Sequence, residues 1–290
     1  MISHRVGYSC ALLLVLLLVY SVFSDDTKTI SRSRINLFPK SVPEHPQETS
    51  VKFVYNKQMP YMSPMPHLLW VPQPMKESMT LPLIVFLHGA GESGTDPNNI
   101  VSVGSTGTLP HMAQSGSSDR GLLAKFVLVS PQTNDGWCTA STVEAVEALV
   151  QYVISHLPFV DSSRIYLTGV SVGGSGAWCL GSSRPRLFAA VVPICGYSHD
   201  LNSDITPLAA YRVPLWVAHG ANDVVVSVKA SDDMVQLCRR TKGCNLHEYS
   251  RYPVSSTPTG YPQSEGHASW KELYSNRTFW DWLLSQKLRK

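Results

Sequence analysis

Ser171 sits in Gly169-Val170-Ser171-Val172-Gly173, directly after the β-like run Arg164 to Thr168 and ahead of a stretch with helical pattern. In that setting G-x-S-x-G marks a nucleophilic serine on a sharp strand-to-helix turn. The chain must reverse tightly while leaving the hydroxyl exposed, and Gly169, Gly173 and Gly174 supply the small neighbours this requires. The five residues alone also fit a glycine-rich turn without catalysis, so their partners decide the reading. A serine hydroxyl is a weak acid. It needs a base to take its proton, and the base needs a carboxylate to fix its tautomer and stabilise its imidazolium.

Asp223 ends His219-Gly220-Ala221-Asn222-Asp223, just past the apolar run Leu215 to Ala218, which brings a carboxylate out at the same sheet edge as Ser171. The competing role is a cap for a helix beginning near Ser227. Asp232 and Asp233 are rival acids, but both fall inside that helix. His267, in Gly266-His267-Ala268-Ser269-Trp270, follows the strand-like run Leu246 to Tyr249 and completes the chain order Ser, Asp, His. His199 precedes the acid, and His247 lies within a strand; both are weaker bases for this role.

The oxyanion formed on attack needs preorganised donors, each typically lowering the barrier by roughly 3 kcal/mol. Val172, next to the nucleophile, offers one N–H, and Ala90 in His88-Gly89-Ala90-Gly91-Glu92 offers the other. This glycine loop lacks the Gly-Lys-Ser/Thr ending of a nucleotide site and the second half of a dinucleotide fingerprint. His88 is expected to shape the loop.

These groups must be held by a sheet. Short apolar runs suited to buried strands are Leu83 to Leu87, Phe126 to Val129, Arg164 to Thr168, Ala189 to Ile194, Leu215 to Ala218 and Leu246 to Tyr249. They alternate with helical patterns or loops, the signature of a mostly parallel sheet. His67 to Val71 reads as an edge strand. The clearest helix runs from about Val143 to Leu157, with Ser141 and Glu144 in capping-box spacing. Others are expected after Gly173, from Ser227 to Arg240, and around Phe279 to Leu284. Residues 97–121 read as a long loop with at most a weak helix. Only about twenty residues separate the Ile194 and Leu215 strands, too few for a large lid domain.

With these pieces in place the chain resembles the α/β-hydrolase superfamily, and more narrowly its secreted esterase branch of polyhydroxybutyrate depolymerases, feruloyl esterases and predicted peptidases. The likeness covers about Met59 to Gln286. It rests on Leu83 to Glu92, Thr168 to Gly174, Pro193-Ile194-Cys195-Gly196 and Gly266 to Trp270. It implies an α/β-hydrolase fold with Ser171 as nucleophile, Asp223 as acid, His267 as base and Ala90 and Val172 as oxyanion donors. It also implies Gln132 and Trp137 near the cleft. The substrate does not carry over.

The chain of 290 residues is 43% apolar with a formal charge of +3. That suits one large core and, without a run of Lys and Arg, speaks against nucleic acid as partner. Residues 1–24 read as a secretory signal, with His4 and Arg5 ahead of the apolar Ala11 to Val19 and cleavage near Ser24. The apolar run is about half of the roughly 20 residues a membrane span needs. Residues 25–50 read as a poorly ordered leader, and 51–290 as a single α/β-hydrolase domain. Cys138, Cys179, Cys195, Cys238 and Cys244 remain after cleavage. In an oxidising compartment Cys238 and Cys244, flanking a Lys242-Gly243 turn, are the pair expected to join, and Cys138 with Cys179 is a second pairing. Asn276-Arg277-Thr278 is a glycosylation sequon. The expected activity is carboxylic ester hydrolysis through an acyl-enzyme, on an ester that is small or polymer-borne, without metal or organic cofactor. A serine peptidase and a catalytically silent secreted binding protein are the alternatives.

Overall fold

A computed structural model describes residues 52–54, 65–72, 79–115, 120–197 and 204–288. The expected signal segment and leader, and His199, lie outside the described residues. The elements in chain order are β1 (Lys52–Val54), β2 (His67–Val71), β3 (Leu81–Leu87), α1 (Leu109–Ser115), α2 (Arg120–Leu123), β4 (Val127–Pro131), α3 (Ala140–His156) and β5 (Val160–Val170). Then follow α4 (Val172–Ser183), β6 (Ala190–Ile194), α5 (Thr206–Ala210), β7 (Pro214–Gly220), α6 (Lys229–Arg240), β8 (Asn245–Tyr252), α7 (Ser269–Ser275) and α8 (Arg277–Ser285).

The strands form one sheet in the order β1-β2-β4-β3-β5-β6-β7-β8. β2 runs antiparallel to β1 and β4, and every pairing from β4 to β8 is parallel. This is the α/β-hydrolase fold. β3, β4 and β6 are buried along their whole length, because helices cover both faces of a parallel sheet, and so their sequences are unbroken apolar runs. β8, at the edge, is partly exposed and carries Glu248 and Arg251, charge that discourages further strand pairing. At the other side β1 pairs outside β2, so His67–Val71 is not the edge strand the sequence suggested.

Trp216 of β7, Phe279 and Trp282 of α8 form a tight aromatic group, continued through Trp280 to Phe126. Full burial of a ring such as Phe279 contributes roughly 1.5–3 kcal/mol, which fixes the C-terminal helix to the sheet. α3 begins at Ala140 and is capped by the Thr139 hydroxyl, which accepts from Thr142 N at 3.2 Å. The expected Ser141–Glu144 capping box therefore falls two residues too late, inside the first turn. The 97–121 segment holds 3-10 turns at Pro97–Val101 and Val103–Ser105 as well as α1, more structure than its Gly, Ser and Thr content suggested.

Both expected disulfides are present, Cys138–Cys179 and Cys238–Cys244, with Cα separations of 5.6 and 5.5 Å. The first ties the loop after β4 to α4. Cys195 is a buried free thiol. Residues 195–213 alone separate β6 from β7, and the described part of them contains only the short α5.

Candidate active site

Because β3, β5, β6, β7 and β8 are parallel, the segments leaving their carboxyl ends collect at one edge of the sheet, the place where open α/β sheets hold ligands. Ser171 lies between the end of β5 and the start of α4 with φ 56° and ψ −119°. A non-glycine residue at positive φ is strained, and it persists only where its surroundings dictate it. Two glycines do so here. A Cβ on Gly173 would collide with the carbonyl oxygen of Leu87, and one on Gly169 with the backbone of Gly173. The turn is therefore as tight as backbone contact allows. Ser171 N donates to the Ile194 carbonyl at 3.0 Å, which holds the elbow to β6.

Ser171 Oγ lies 2.9 Å from His267 Nε2, and His267 Nδ1 lies 2.7 Å from Asp223 Oδ2. Nδ1–H donates to the carboxylate, so Nε2 is left free to accept the serine proton. Asp223 sits in the turn after β7. Its Oδ1 accepts from Val225 N and Val226 N at 2.8 and 2.9 Å. Burial by itself would raise the Asp223 carboxyl, but hydrogen bonds from His219, His267 and Val226 outweigh it and hold the group well below the usual carboxylate range. It is thus a fixed negative charge beside the imidazole.

Both proposed oxyanion donors belong to segments next to this serine: Val172 follows it in the chain, and a Cβ on Gly89, beside Ala90, would stand 3.6 Å from Ser171 Cβ. Val172 opens α4, where first-turn N–H groups have no acceptor within the helix. Ala90 opens the 3-10 turn Ala90–Glu92. Its loop is anchored from beneath: His88 Nδ1 donates to Gly89 O at 2.7 Å, and Trp137 Nε1 donates to His88 O at 3.0 Å. Gln132 Nε2 donates to Glu92 O at 2.6 Å. Gln132 and Trp137, both buried, therefore support the loop from within. Burial pushes His88 down to about 4, with its bonds to Gly89 and Thr133 opposing this, and pushes the Glu92 carboxyl up.

The rivals are engaged elsewhere. His247 stacks on Trp282, with ring centroids 5.3 Å apart. Asp232 accepts from Tyr249 and Arg251, and Asp233 from Lys229. Among the described residues one group, Cys195, Asp223 and His267, brings potential metal ligands within 4.8 Å of one another. Asp223 and His267 are bonded to each other, and burial followed by the Asp223 charge pushes the Cys195 thiol up, away from the thiolate a metal would take.

Sequence reasoning missed what steadies these side chains. His219 contacts Asp223 Oδ2 at 3.2 Å. Glu272 of α7 accepts from Ser255 and from both the backbone and hydroxyl of Ser256, pinning the loop that ends in His267. The position of His219, at the end of a strand four residues before the acid, was the one available signal.

The prolyl oligopeptidase family (Peptidase_S9) matches residues 137–212, a stretch that contains Ser171 and stops short of Asp223 and His267. No curated protein matches the chain significantly. Among solved structures, a thermostable esterase is similar at 28% identity and a TM-score of 0.60, over 82% of this chain and 63% of that one. An acylaminoacyl peptidase from Pyrococcus horikoshii is similar at 14% identity and a TM-score of 0.53, over 84% of this chain and 43% of that one. Another acylaminoacyl peptidase, bound to Z-Gly-Gly-Phe-chloromethyl ketone, gives 16% and 0.52, over 84% and 42%. The chain thus spans less than two thirds of the length of these proteins. Strand order and these likenesses agree: the chain has the fold of the α/β-hydrolase superfamily.

Proposed function

We propose that the chain is a secreted serine hydrolase that cleaves carboxylic esters through an acyl-enzyme on Ser171. The observation that carries this reading is the continuous relay Ser171 Oγ, His267, Asp223, with contacts of 2.9 and 2.7 Å. Ser171 Oγ attacks the ester carbonyl carbon while His267 Nε2 takes its proton. The carbonyl oxygen becomes an oxyanion facing the N–H groups of Ala90 and Val172. As the tetrahedral intermediate collapses, the C–O bond to the alcohol breaks and His267 hands the proton to the departing oxygen. Water, deprotonated by the same imidazole, then attacks the acyl-enzyme, releases the acid and restores the Ser171 hydroxyl. Asp223 stays ionised throughout. The complete relay argues against a silent binding protein.

Ester substrates are supported by the likeness to the thermostable esterase and by the short β6–β7 connection, which leaves room for bulky or polymer-borne acyl groups. The prolyl oligopeptidase match favours a second reading, a serine peptidase with the same machinery. Assaying p-nitrophenyl acetate beside a peptide panel separates the two. The expected result is ester turnover that disappears in Ser171→Ala, and turnover confined to peptides overturns the ester assignment.

Secretion is supported by the apolar segment within residues 1–24 and by two disulfides, which persist in oxidising compartments. A signal over 1–24, a leader over 25–50 and a hydrolase domain over 51–290 complete the proposed layout, with Asn276 as a glycan acceptor. Among the described residues no helix is long and apolar enough to cross a membrane. N-terminal sequencing of chain recovered from culture medium tests the layout; an intact Met1 would contradict it.

A further inference from the structure

His219 is the penultimate residue of β7 and is fully buried, its ring reaching the carboxylate of Asp223. Nε2 lies 2.9 Å from the carbonyl oxygen of Val226 and 3.2 Å from Asp223 Oδ2, and Nδ1 lies 2.7 Å from Ser231 Oγ. A carbonyl oxygen can only accept, so Nε2 carries the proton and shares it between Val226 O and Asp223 Oδ2. In the neutral ring Nδ1 is then an acceptor, and the Ser231 hydroxyl of α6 donates to it. One ring thereby ties three elements to the acid: the end of β7, the 223–226 turn and α6.

Asp223 Oδ2 accordingly receives two imidazole donors, His267 on the side facing Ser171 and His219 on the side facing the core. Oδ1 receives two backbone donors. His267 and the turn already hold both oxygens, and the buried second ring adds a further donor on Oδ2 that stiffens the carboxylate against small displacements. Other ionisable groups in this neighbourhood are Asp232 of α6, bonded to Tyr249 and Arg251 of β8, and the buried Cys195 thiol beyond β6. None of the first three offers a hydrogen bond to the Asp223 carboxylate.

We infer that His219 is a positioning residue for the acid of the relay, so that the working unit is Ser231–His219–Asp223–His267–Ser171. This rests on the hydrolase reading above. His219 touches no reacting atom; it fixes the orientation of the Asp223 carboxylate and takes up part of its charge. Its loss therefore acts on turnover more than on substrate binding.

The test compares the full chain with His219→Ala, His219→Gln and Ser231→Ala, using p-nitrophenyl acetate kinetics across pH and fluorophosphonate labelling, with Ser171→Ala as reference. Loss of a hydrogen bond to a charged group predicts that kcat falls about ten- to hundredfold in His219→Ala, with KM nearly unchanged. The acid limb of the kcat/KM profile moves to higher pH, because a carboxylate relieved of one donor stabilises the His267 imidazolium more. His219→Gln retains an amide donor and restores most of kcat. Ser231→Ala, which keeps the ring in place, shows a smaller loss and a shift of the same sign, and it carries the test should His219→Ala melt below assay temperature. Wild-type kcat and an unmoved pH limb in Ser231→Ala and in any folded His219 variant would overturn the inference while Ser171-dependent labelling leaves the hydrolase reading standing. A wild-type chain inert to the fluorophosphonate would overturn both.

Discussion

Gly266, one residue before His267, packs its backbone directly on Asn222, one residue before Asp223. A Cβ on Gly266 would stand 2.5 Å from the carbonyl carbon and oxygen of Asn222. Asn222 Oδ1 in turn accepts from Ser255 N at 2.8 Å, and Val224 N donates to Glu265 O at 3.1 Å. The loops that carry Asp223 and His267 are thus joined backbone to backbone, which holds His267 Nδ1 2.7 Å from Asp223 Oδ2.

Gly266 also has φ +73°, where an alanine costs about 1–2 kcal/mol before any collision is counted. Gly266→Ala should lower the melting temperature by several degrees and reduce kcat/KM at least about tenfold, since a small displacement of the base is costly. Melting curves beside ester kinetics check this; unchanged kinetics would show that the loop contact does not position His267.

Ser171 pays for its exposure with backbone strain, a cost that glycine would not bear. Ser171→Gly should therefore be inactive yet more stable, by about 0.5–1 kcal/mol once the backbone entropy of glycine is subtracted from the relieved strain. Ser171→Ala should be equally inactive with stability near wild type. Denaturant titrations of the three chains test the order.

His88 makes stability depend on pH. Nδ1 donates to Gly89 O, so Nε2 accepts from Thr133 N at 3.3 Å and the folded ring is held neutral. Burial lowers it from 6.5 to about 4, so between these values the unfolded chain binds the extra proton. The His88 contribution is whole above pH 6.5 and is lost as pH falls toward 4, amounting to roughly 3 kcal/mol. His88→Asn should lose correspondingly less stability over that interval in urea titrations, and parallel curves for the two chains would contradict the assignment.

The two disulfides should differ in worth. Cys138–Cys179 closes a separation of 41 residues and Cys238–Cys244 one of 6, so loop-closure entropy gives about 4 and about 2.2 kcal/mol. Replacing Cys138 and Cys179 by Ala should lower the melting temperature more than replacing Cys238 and Cys244, as calorimetry would register.

What the sequence made legible was what periodicity and chain order can carry. Leu83 to Leu87 and Ala189 to Ile194 announce themselves because both faces of those strands are covered. β5 was read only from Arg164. Its first residues form a local polar network, with Asp161 accepting from Ser163 and Arg164, and leave no apolar run to see. α7 escaped because its seven residues are held by tertiary contacts, such as Trp270 Nε1 to Thr106 O at 3.1 Å, and by no pattern of their own. The order Ser171, Asp223, His267 was visible in the chain, whereas His219 gains its meaning only from Val226 and Ser231, which folding brings to its ring.

The central claim is that Ser171 is made nucleophilic by His267. Fluorophosphonate labelling followed by peptide mass mapping tests it most directly. The account predicts a single adduct on the peptide containing Ser171, lost in Ser171→Ala and slowed by orders of magnitude in His267→Ala; an adduct elsewhere, or labelling at wild-type rate without His267, would contradict it.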